Sequence, residues 1–357
     1  MHSENVLREL VRELIIELLR HYSPTGYEDE AIGVLKDLCL SKLAFDEVRI
    51  DSVGNLIARR GSGNYVIAFL GHIDTVTGEV PLKVSNDVLH GRGAVDAKGP
   101  LASAFVAASL ANVSDATVYA IAAVGEEGDS RGANYLVNSG FRADAVVICE
   151  PTNCDGVVIE YRGSVNIEVK CTSEAVHTAV AHLVTTACDK VINAWVKVKE
   201  LLSKLGVSPV LIKLVCGEGT NVTPTEAYEL INVRVPYGVD LSSIKQVING
   251  SLPSGCTYNI PSYTPPIRVS PNSLSVRAMV RSLINLGIKP RLVRKLGTSD
   301  MNVIYGKVSN DVVAYGPGDP KLAHTNYERV SINELLLASK AYMNFISEYL
   351  RLRSSKK

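Results

Sequence analysis

Residues 65–76 read YVIAFLGHIDTV. The apolar run Tyr65 to Leu70 is too short for a typical helix, and its β-branched and aromatic content suits a strand buried on both faces. It ends abruptly in Gly71, His72 and Asp74. In open α/β sheets, ligands bind in the crevice beyond the carboxyl ends of the strands, so a polar pair at such an end marks a candidate site. Taken alone, GHIDTV reads more simply as a turn histidine with a capping aspartate, because short motifs have a high false-positive rate. The neighbouring segments decide between the two.

Working outward, DEVRIDS and NLIARR precede this strand, and LASAFVAASLAN, ATVYAIAAVG, SRGANYLVNSG and ADAVVICE follow it as helix, strand, helix and strand. Helices alternating with fully apolar strands predict an α/β domain, a mostly parallel sheet with helices on both faces. Two helices are expected upstream, over residues 4–21 and 27–43. The first repeats Val6, Leu7, Leu10, Val11, Leu14, Ile15, Leu18 and Leu19 at helical spacing, with charges throughout. That pattern predicts an amphipathic packing helix and not a signal peptide, which needs an uninterrupted apolar core. From Gly163 the texture changes to the period-two alternation of SVNIEVKCT, PVLIKLVCGEG and AYELINVRVPY, with helices expected over 185–205 and 240–249. Such alternation predicts a smaller α+β sheet covered on one side. A Pro-rich stretch, SLPSGCTYNIPSYTPPIRVSP, then leads into a helix-strand-helix tail that rejoins the first sheet. The expected organisation is one domain from residues 1–162 and 267–357, with 163–266 inserted as a second.

The composition sets outer bounds. A length of 357 residues suits two domains, and 46% hydrophobic with 21% charged residues describes a soluble globular protein. Lys plus Arg equals Asp plus Glu at 37 each, so net charge lends no support to a nucleic-acid or membrane partner. No stretch approaches the ~20 apolar residues of a membrane span. The seven cysteines are odd in number and form no CxxC pair, which predicts reduced thiols and a cytoplasmic protein.

Three strands of the first domain end in potential ligands: His72 and Asp74, then Glu126 and Glu127, then Glu150. The Gly-rich GRGAVDAKGP adds Asp96, and LAHTNYE adds His324. One acidic strand end ordinarily caps the next helix. Several carboxylates at one edge repel one another unless positive charge sits among them, and imidazole with carboxylate is a ligand set suited to Zn²⁺ or a similar divalent ion. Nucleotide binding has no support, because Asp96 replaces the third fingerprint glycine and no GxxxxGK[ST] occurs. Serine hydrolysis lacks its GxSxG elbow.

GHIDTV, GRGAVDAKG, GEEG, the CEP ending at Pro151, and AHTNYE, in this order across essentially the whole chain, resemble the motifs of the dinuclear zinc peptidase and deacylase family. That family includes carboxypeptidase G, acetylornithine deacetylase and succinyl-diaminopimelate desuccinylase. The resemblance implies that His72 and Glu150 hold one ion, that Glu127 and His324 hold another, and that Asp96 bridges both. Zn²⁺ is the first expectation, and Co²⁺ or Mn²⁺ accepts the same ligands. Glu126 takes the place of the family's general base, and Asp74 that of the group orienting His72. In the inserted domain, NVTPTEAYELINVR matches a pattern whose first Asn and last Arg reach the substrate, here Asn221 and Arg234. SEAVHTA supplies His177, whose counterpart donates to the oxyanion from the partner subunit of a homodimer. The continuation HTAVAHLVTTA departs from the family's usual Ser, Pro, Gly and Asn, so a surface-turn histidine stays open for His177, with His182 as a competitor. Gly297 and Thr298 of GTSD are expected to line the substrate pocket, and Gly316 to approach it.

Within the family, GRGAVDAKGP, LGTSDMN and YGPGD look most like the branch acting in lysine and ornithine biosynthesis. The implied reaction cleaves the amide between the terminal Glu γ-carboxyl of a small acidic amino-group carrier protein and the α-amino group of lysine or ornithine. The carrier is then the expected partner, received by a basic rim for which Arg291, Arg294 and Lys295 are candidates. The alternatives are a deacylase of N-acetylornithine or N-succinyl-diaminopimelate, a metallo-aminoacyl peptidase, and a non-enzymatic metal- or carrier-binding protein. Glu126 argues against the last, because binding alone needs no base beside a ligand.

Overall fold

The computed structural model describes residues 4–113, 115–217 and 221–355. The chain divides into two compact units. The first holds the described residues up to Ile159, Val269–Arg294 and the described residues from Ser299 onward; the second holds Glu160–Arg268 and Lys295–Thr298.

In the first unit, α1 (Glu4–Arg20) and α2 (Asp29–Ser41) lead into a hairpin of β1 (Glu47–Ile50) and β2 (Leu56–Arg60). The spacing of Leu7, Val11, Leu14, Ile15, Leu18 and Leu19 puts them on one buried face of α1. Then come β3 (Tyr65–His72), a small hairpin of β4 (Lys83–Ser85) and β5 (Val88–His90), and α3 (Lys98–Ser109). The segment closes with β6 (Ala116–Ala123), α4 (Arg131–Asn138), β7 (Ala145–Cys149) and β8 (Gly156–Tyr161). The second unit follows as β9 (Gly163–Thr172), α5 (Ala187–Lys204), β10 (Ser208–Cys216), β11 (Glu226–Val235), α6 (Leu241–Ser251), β12 (Cys256–Thr264) and β13 (Ile267–Arg268). The returning chain supplies α7 (Leu274–Asn285), β14 (Arg291–Lys295), α8 (Asp300–Ile304), β15 (Val312–Tyr315), β16 (Arg329–Ser331) and α9 (Ile332–Ser354).

The large sheet has the order β1-β2-β6-β3-β7-β15-β8 along its main run. Only its centre is parallel: β3 pairs in parallel with β6 and β7, and β7 with β15. The flanks are antiparallel, β1 on β2, β2 on β6 and β8 on β15. The sheet is therefore mixed, with the parallel α/β core that the apolar strands predict. A short turn joins β1 to β2, and a parallel neighbour requires a crossover of a dozen or more residues. Every residue of α3 is buried, Lys98 included. No described helix is long and apolar enough to cross a membrane.

The second unit is a four-stranded antiparallel sheet, β10-β11-β9-β12. One face of β9 and β11 supplies Val165, Ile167, Val169, Ile231 and Val233 to a core completed by Val191, Val198 and Leu202 of α5 and Ile244 and Ile248 of α6. A reciprocal cap between Thr186 and Asp189 starts α5 by satisfying two main-chain donors that no intrahelical bond reaches. The expectation of reduced cysteines is overturned here: Cys171 and Cys256 form a disulfide, while Cys39, Cys149, Cys154, Cys188 and Cys216 are free. The two partners face each other directly across β9 and β12, a register that spacing along the chain does not reveal.

Glu229 in β11 points into this apolar core, and neither of its carboxylate oxygens has a hydrogen-bond partner among the described residues. Burial pushes its pKa up to about 7. A carboxyl whose folded pKa is raised destabilises the fold once ionised; the penalty is absent below the unfolded value and grows as pH rises towards the folded one. Replacing Glu229 by Gln is expected to raise stability relative to wild type increasingly from pH 5 to pH 8, by on the order of 2–3 kcal/mol at the upper end, with the melting temperature rising in step. Calorimetry across that range checks it, and parallel pH profiles for the two proteins refute it.

Candidate active site

The register of three parallel strands delivers the acidic ends to one edge. β3 ends at His72 opposite Ala123 of β6, and Leu70 lies beside Ile148 of β7. The segments that follow β6 and β7 therefore start level with His72, and they carry Glu126, Glu127 and Glu150. Asp96 comes from the loop before α3. His324 comes from the loop before β16, at a left-handed φ of 64° that non-glycine residues adopt infrequently.

These side chains meet. His72 Nε2 lies 3.1 Å from Asp96 Oδ1 and 4.0 Å from Glu150 Oε1. His324 Nε2 lies 3.2 Å from Asp96 Oδ2 and 2.8 Å from Glu127 Oε1. Asp96 thus turns one oxygen to each imidazole. Ligand atoms of His72, Asp96 and Glu150 fall within 4.8 Å of one another, as do those of Asp96, Glu127 and His324, and those of His72, Glu126 and Glu127. Imidazole and carboxylate at this closeness make a donor set that fits divalent metal.

The electrostatics carry the same message. Burial alone would lower the pKa of His72, yet the Asp74 and Asp96 carboxylates and the nearby charge of Glu126 hold it well above the ordinary range. Hydrogen bonds to Asp96 and Glu127 push His324 up to about 10. Burial lifts Glu126 well above the usual carboxylate range; His72 opposes this, and the charges of Asp300, Glu150 and Glu127 add to it. A cluster that holds both imidazoles towards their cationic form demands positive charge, which a metal ion supplies in place of the protons.

Asp74 supports the site through both its main chain and its carboxylate. His72 Nδ1–H donates to the main-chain carbonyl of Asp74 at 2.9 Å, while the carboxylate is 3.6 Å from that nitrogen. The buried carboxylate instead accepts the main-chain N–H of Glu126 at 3.0 Å and of Glu127 at 3.1 Å, and the Thr25 hydroxyl at 2.7 Å. Two further buried polar residues escaped the sequence reading. Lys98 Nζ donates to the carbonyls of Leu18 and His21 at 2.9 and 2.7 Å, and burial lowers its pKa to about 7. Asp300 is buried with one oxygen unpartnered among the described residues, and burial raises it to about 7. Both lie inside quoted motifs, GRGAVDAKG and GTSD, so the signal was present and only the inward direction was missing.

His177 is exposed at the head of a 3₁₀ turn, Thr178–Leu183, and its Nδ1 accepts the Ala179 N–H at 3.1 Å. Val222 is its partner in a short antiparallel bridge, and the carbonyl of the adjacent Asn221 accepts Thr178 N–H at 3.2 Å. His182 is exposed. Arg234 is half-buried and its guanidinium is 3.5 Å from the Thr298 hydroxyl, with Gly297 exposed beside it. Gly316 is buried; a Cβ there would stand 2.6 Å from the Glu150 carbonyl, so it backs the strand end that carries Glu150. Arg291 is paired with Asp155 at 2.6 Å.

Parallel strand ends converging on a carboxylate-imidazole cluster make a site suited to divalent metal, and the family match makes the class a metal-dependent hydrolase. The chain belongs to peptidase family M20/M25/M40, whose model matches residues 68–348. It is 34% identical over 348 residues to a [LysW]-lysine/[LysW]-ornithine hydrolase of Saccharolobus islandicus, covering 97% of this chain and 98% of that one. The protein of the same description from Sulfurisphaera tokodaii is also 34% identical, over 97% of each chain. Among solved structures, the aminopeptidase PepT from Bacillus cereus superposes with a TM-score of 0.80 at 20% identity, over 96% of this chain and 99% of that one. The M20 family metallo-carboxypeptidase Sso-CP2 from Sulfolobus solfataricus gives 0.75 at 18%, over 98% and 99%. These two likenesses speak to the fold alone.

Proposed function

We propose that the chain hydrolyses the amide joining the terminal Glu γ-carboxyl of a LysW-type carrier protein to the α-amino group of lysine or ornithine, releasing the free amino acid. The observation that carries this reading is the nearly end-to-end likeness to relatives of that description. The Asp96 carboxylate facing two imidazoles supports the two-ion chemistry it needs. In this proposal His72 and Glu150 hold one ion, Glu127 and His324 the other, and Asp96 both. Zn²⁺ is the first choice, with Co²⁺ or Mn²⁺ accepting the same ligands. The ions, when bound, supply Lewis acidity and lower the pKa of water.

Glu126 takes the proton of the attacking water on its carboxylate and passes it to the departing α-amine. The Asp74 carbonyl holds His72 Nδ1, which leaves Nε2 to face Asp96. The Asp74 carboxylate anchors the backbone of Glu126 and Glu127 together, so base and ligand share one support. Asn221, Arg234, Gly297 and Thr298 are assigned to the substrate, and Gly316 to the support of Glu150. His177 is assigned to the oxyanion of the partner subunit's site, which makes the second unit, expected from the sequence as residues 163–266, a lid and dimerisation domain. Its edge strand β10 exposes Val210, Ile212, Leu214 and Val215, and α5 exposes Ile192 and Val196. Such apolar surface beside an unpaired strand edge suits burial against a second copy. The cytoplasmic location expected from the sequence belongs to the same proposal, and cell fractionation reads it.

Glu126→Gln is expected to keep its bound metal and lose about 100-fold or more in turnover, the usual scale for a general base; unchanged turnover would remove Glu126 from that role. Sedimentation is expected to show a homodimer, and a fully active monomer would strip His177 of its assignment. The reaction itself is tested by amino-acid release from carrier protein bearing γ-linked lysine or ornithine, from N-acetylornithine and from N-succinyl-diaminopimelate, side by side. The carrier-linked substrate is expected to be preferred; preference for a free acylated amino acid would make the chain a small-molecule deacylase.

A further inference from the structure

Asp96 and His324 can share a site only if the loop before α3 and the loop before β16 hold a set separation, and neither loop is a helix or strand. The structure supplies the tie from behind. Glu328, four residues beyond His324, is 1% exposed, and its Oε2 accepts the main-chain N–H groups of Gly93 at 3.0 Å, Val95 at 3.3 Å and Asp96 at 3.4 Å. Its other oxygen accepts Arg92 Nη1 at 2.6 Å. Arg92, itself 5% exposed, also donates to the carbonyls of Thr325 at 3.0 Å and Gly78 at 2.7 Å and to Asn326 Oδ1 at 3.4 Å. The β5–β16 ladder, Arg329 opposite His90, begins immediately beyond, and Gly91 N–H donates to the Glu328 carbonyl at 3.3 Å.

One buried ion pair therefore gathers three segments: the turn at Gly78, the loop 91–96 that carries Asp96, and residues 325–328, which follow His324. Stability is a weak reason for such a pair, because desolvating two charges costs about as much as their attraction returns, and an apolar pair of equal volume often folds as well. Direction is what this arrangement provides. A carboxylate gathering three amides of one loop and a guanidinium fork reaching the other leaves few positions for either.

We propose that Glu328 and Arg92 are positioning residues that set the distance between Asp96 and His324, and through it the two-ion geometry, without touching ion or substrate. This rests on the metal assignment proposed above. The side-chain amide of Gln at 328 has a single acceptor oxygen, so its NH₂ must face either the loop amides or Arg92, donor against donor. Lys at 92 keeps the charge and loses the fork.

The test is calorimetric titration of metal-free wild type, Glu328→Gln and Arg92→Lys with Zn²⁺, alongside melting temperature, kcat and KM on the preferred substrate. Both variants are expected to bind at least one of two Zn²⁺ ions about 10-fold or more weakly, the scale seen when a ligand's supporting partner is lost. Their kcat is expected to fall about 10-fold or more, with KM changed by less than about 3-fold, because substrate binding is left alone. A lowered melting temperature with wild-type affinity for both ions would make the pair a structural brace only and overturn the proposal. If Glu328→Gln does not fold, Arg92→Lys decides by the same readings. If wild type itself binds a single ion, the two-ion reading fails, and the positioning role stands or falls on whether the variants weaken that ion.

Discussion

Carboxylates brought together in a low-dielectric setting repel one another, and the first unit is arranged around making several of them converge. Glu126, Glu127 and Glu150 reach one edge beside His72 because β3, β6 and β7 run parallel and in register, so that each strand runs out level with its neighbour, and the loop before α3 brings Asp96 to them. The cost is visible in the protons: burial and neighbouring carboxylates raise Glu126, while Asp96 and Glu127 raise His324. A divalent ion held by these ligands would replace the protons with a fixed charge, of the kind that polarises an amide. Site and reaction thus share one electrostatic cause.

Convergence also needs stiff backbone behind the ligands, and here the structure is economical. Asp74 serves His72 through its carbonyl and the Glu126–Glu127 segment through its carboxylate. Glu328 gathers the Asp96 loop, and Arg92 ties it to the residues after His324. Gly316 is without a side chain where a Cβ would press on the Glu150 carbonyl. The second unit is built on the opposite plan, with an apolar core under one face of an antiparallel sheet. Among its described residues, Glu229 is a buried carboxylate without a hydrogen-bond partner, and burial alone accounts for its raised pKa. That contrast separates a carboxyl in a shared polar site from one that only weakens its surroundings.

Much of this was legible in the chain. The α/β class follows from apolar runs alternating with helical periods, and YVIAFLGHIDTV already places a polar pair at a strand end. His72, Glu127 and Glu150 stand out at the ends of apolar runs and Asp96 in a Gly-rich loop, whereas His324 sits in the polar LAHTNYE and the set as a whole came from the family resemblance. Local rules fall short where partners are far apart. The antiparallel flanks of the sheet, the Cys171–Cys256 bond and the Arg92–Glu328 pair each depend on which distant segments lie side by side.

The sequence by itself determined the types of group available for chemistry and the local structure that carries them, because side-chain pattern and backbone propensity act within a few residues. Only the tertiary structure decided which way those groups point: that the Asp74 carboxylate faces two amides, that Asp96 has one oxygen for each imidazole, and that Glu328 closes behind it. Direction is set by packing and by hydrogen bonds such as Arg92–Glu328, whose partners lie 236 residues apart, and no periodicity encodes a contact of that range.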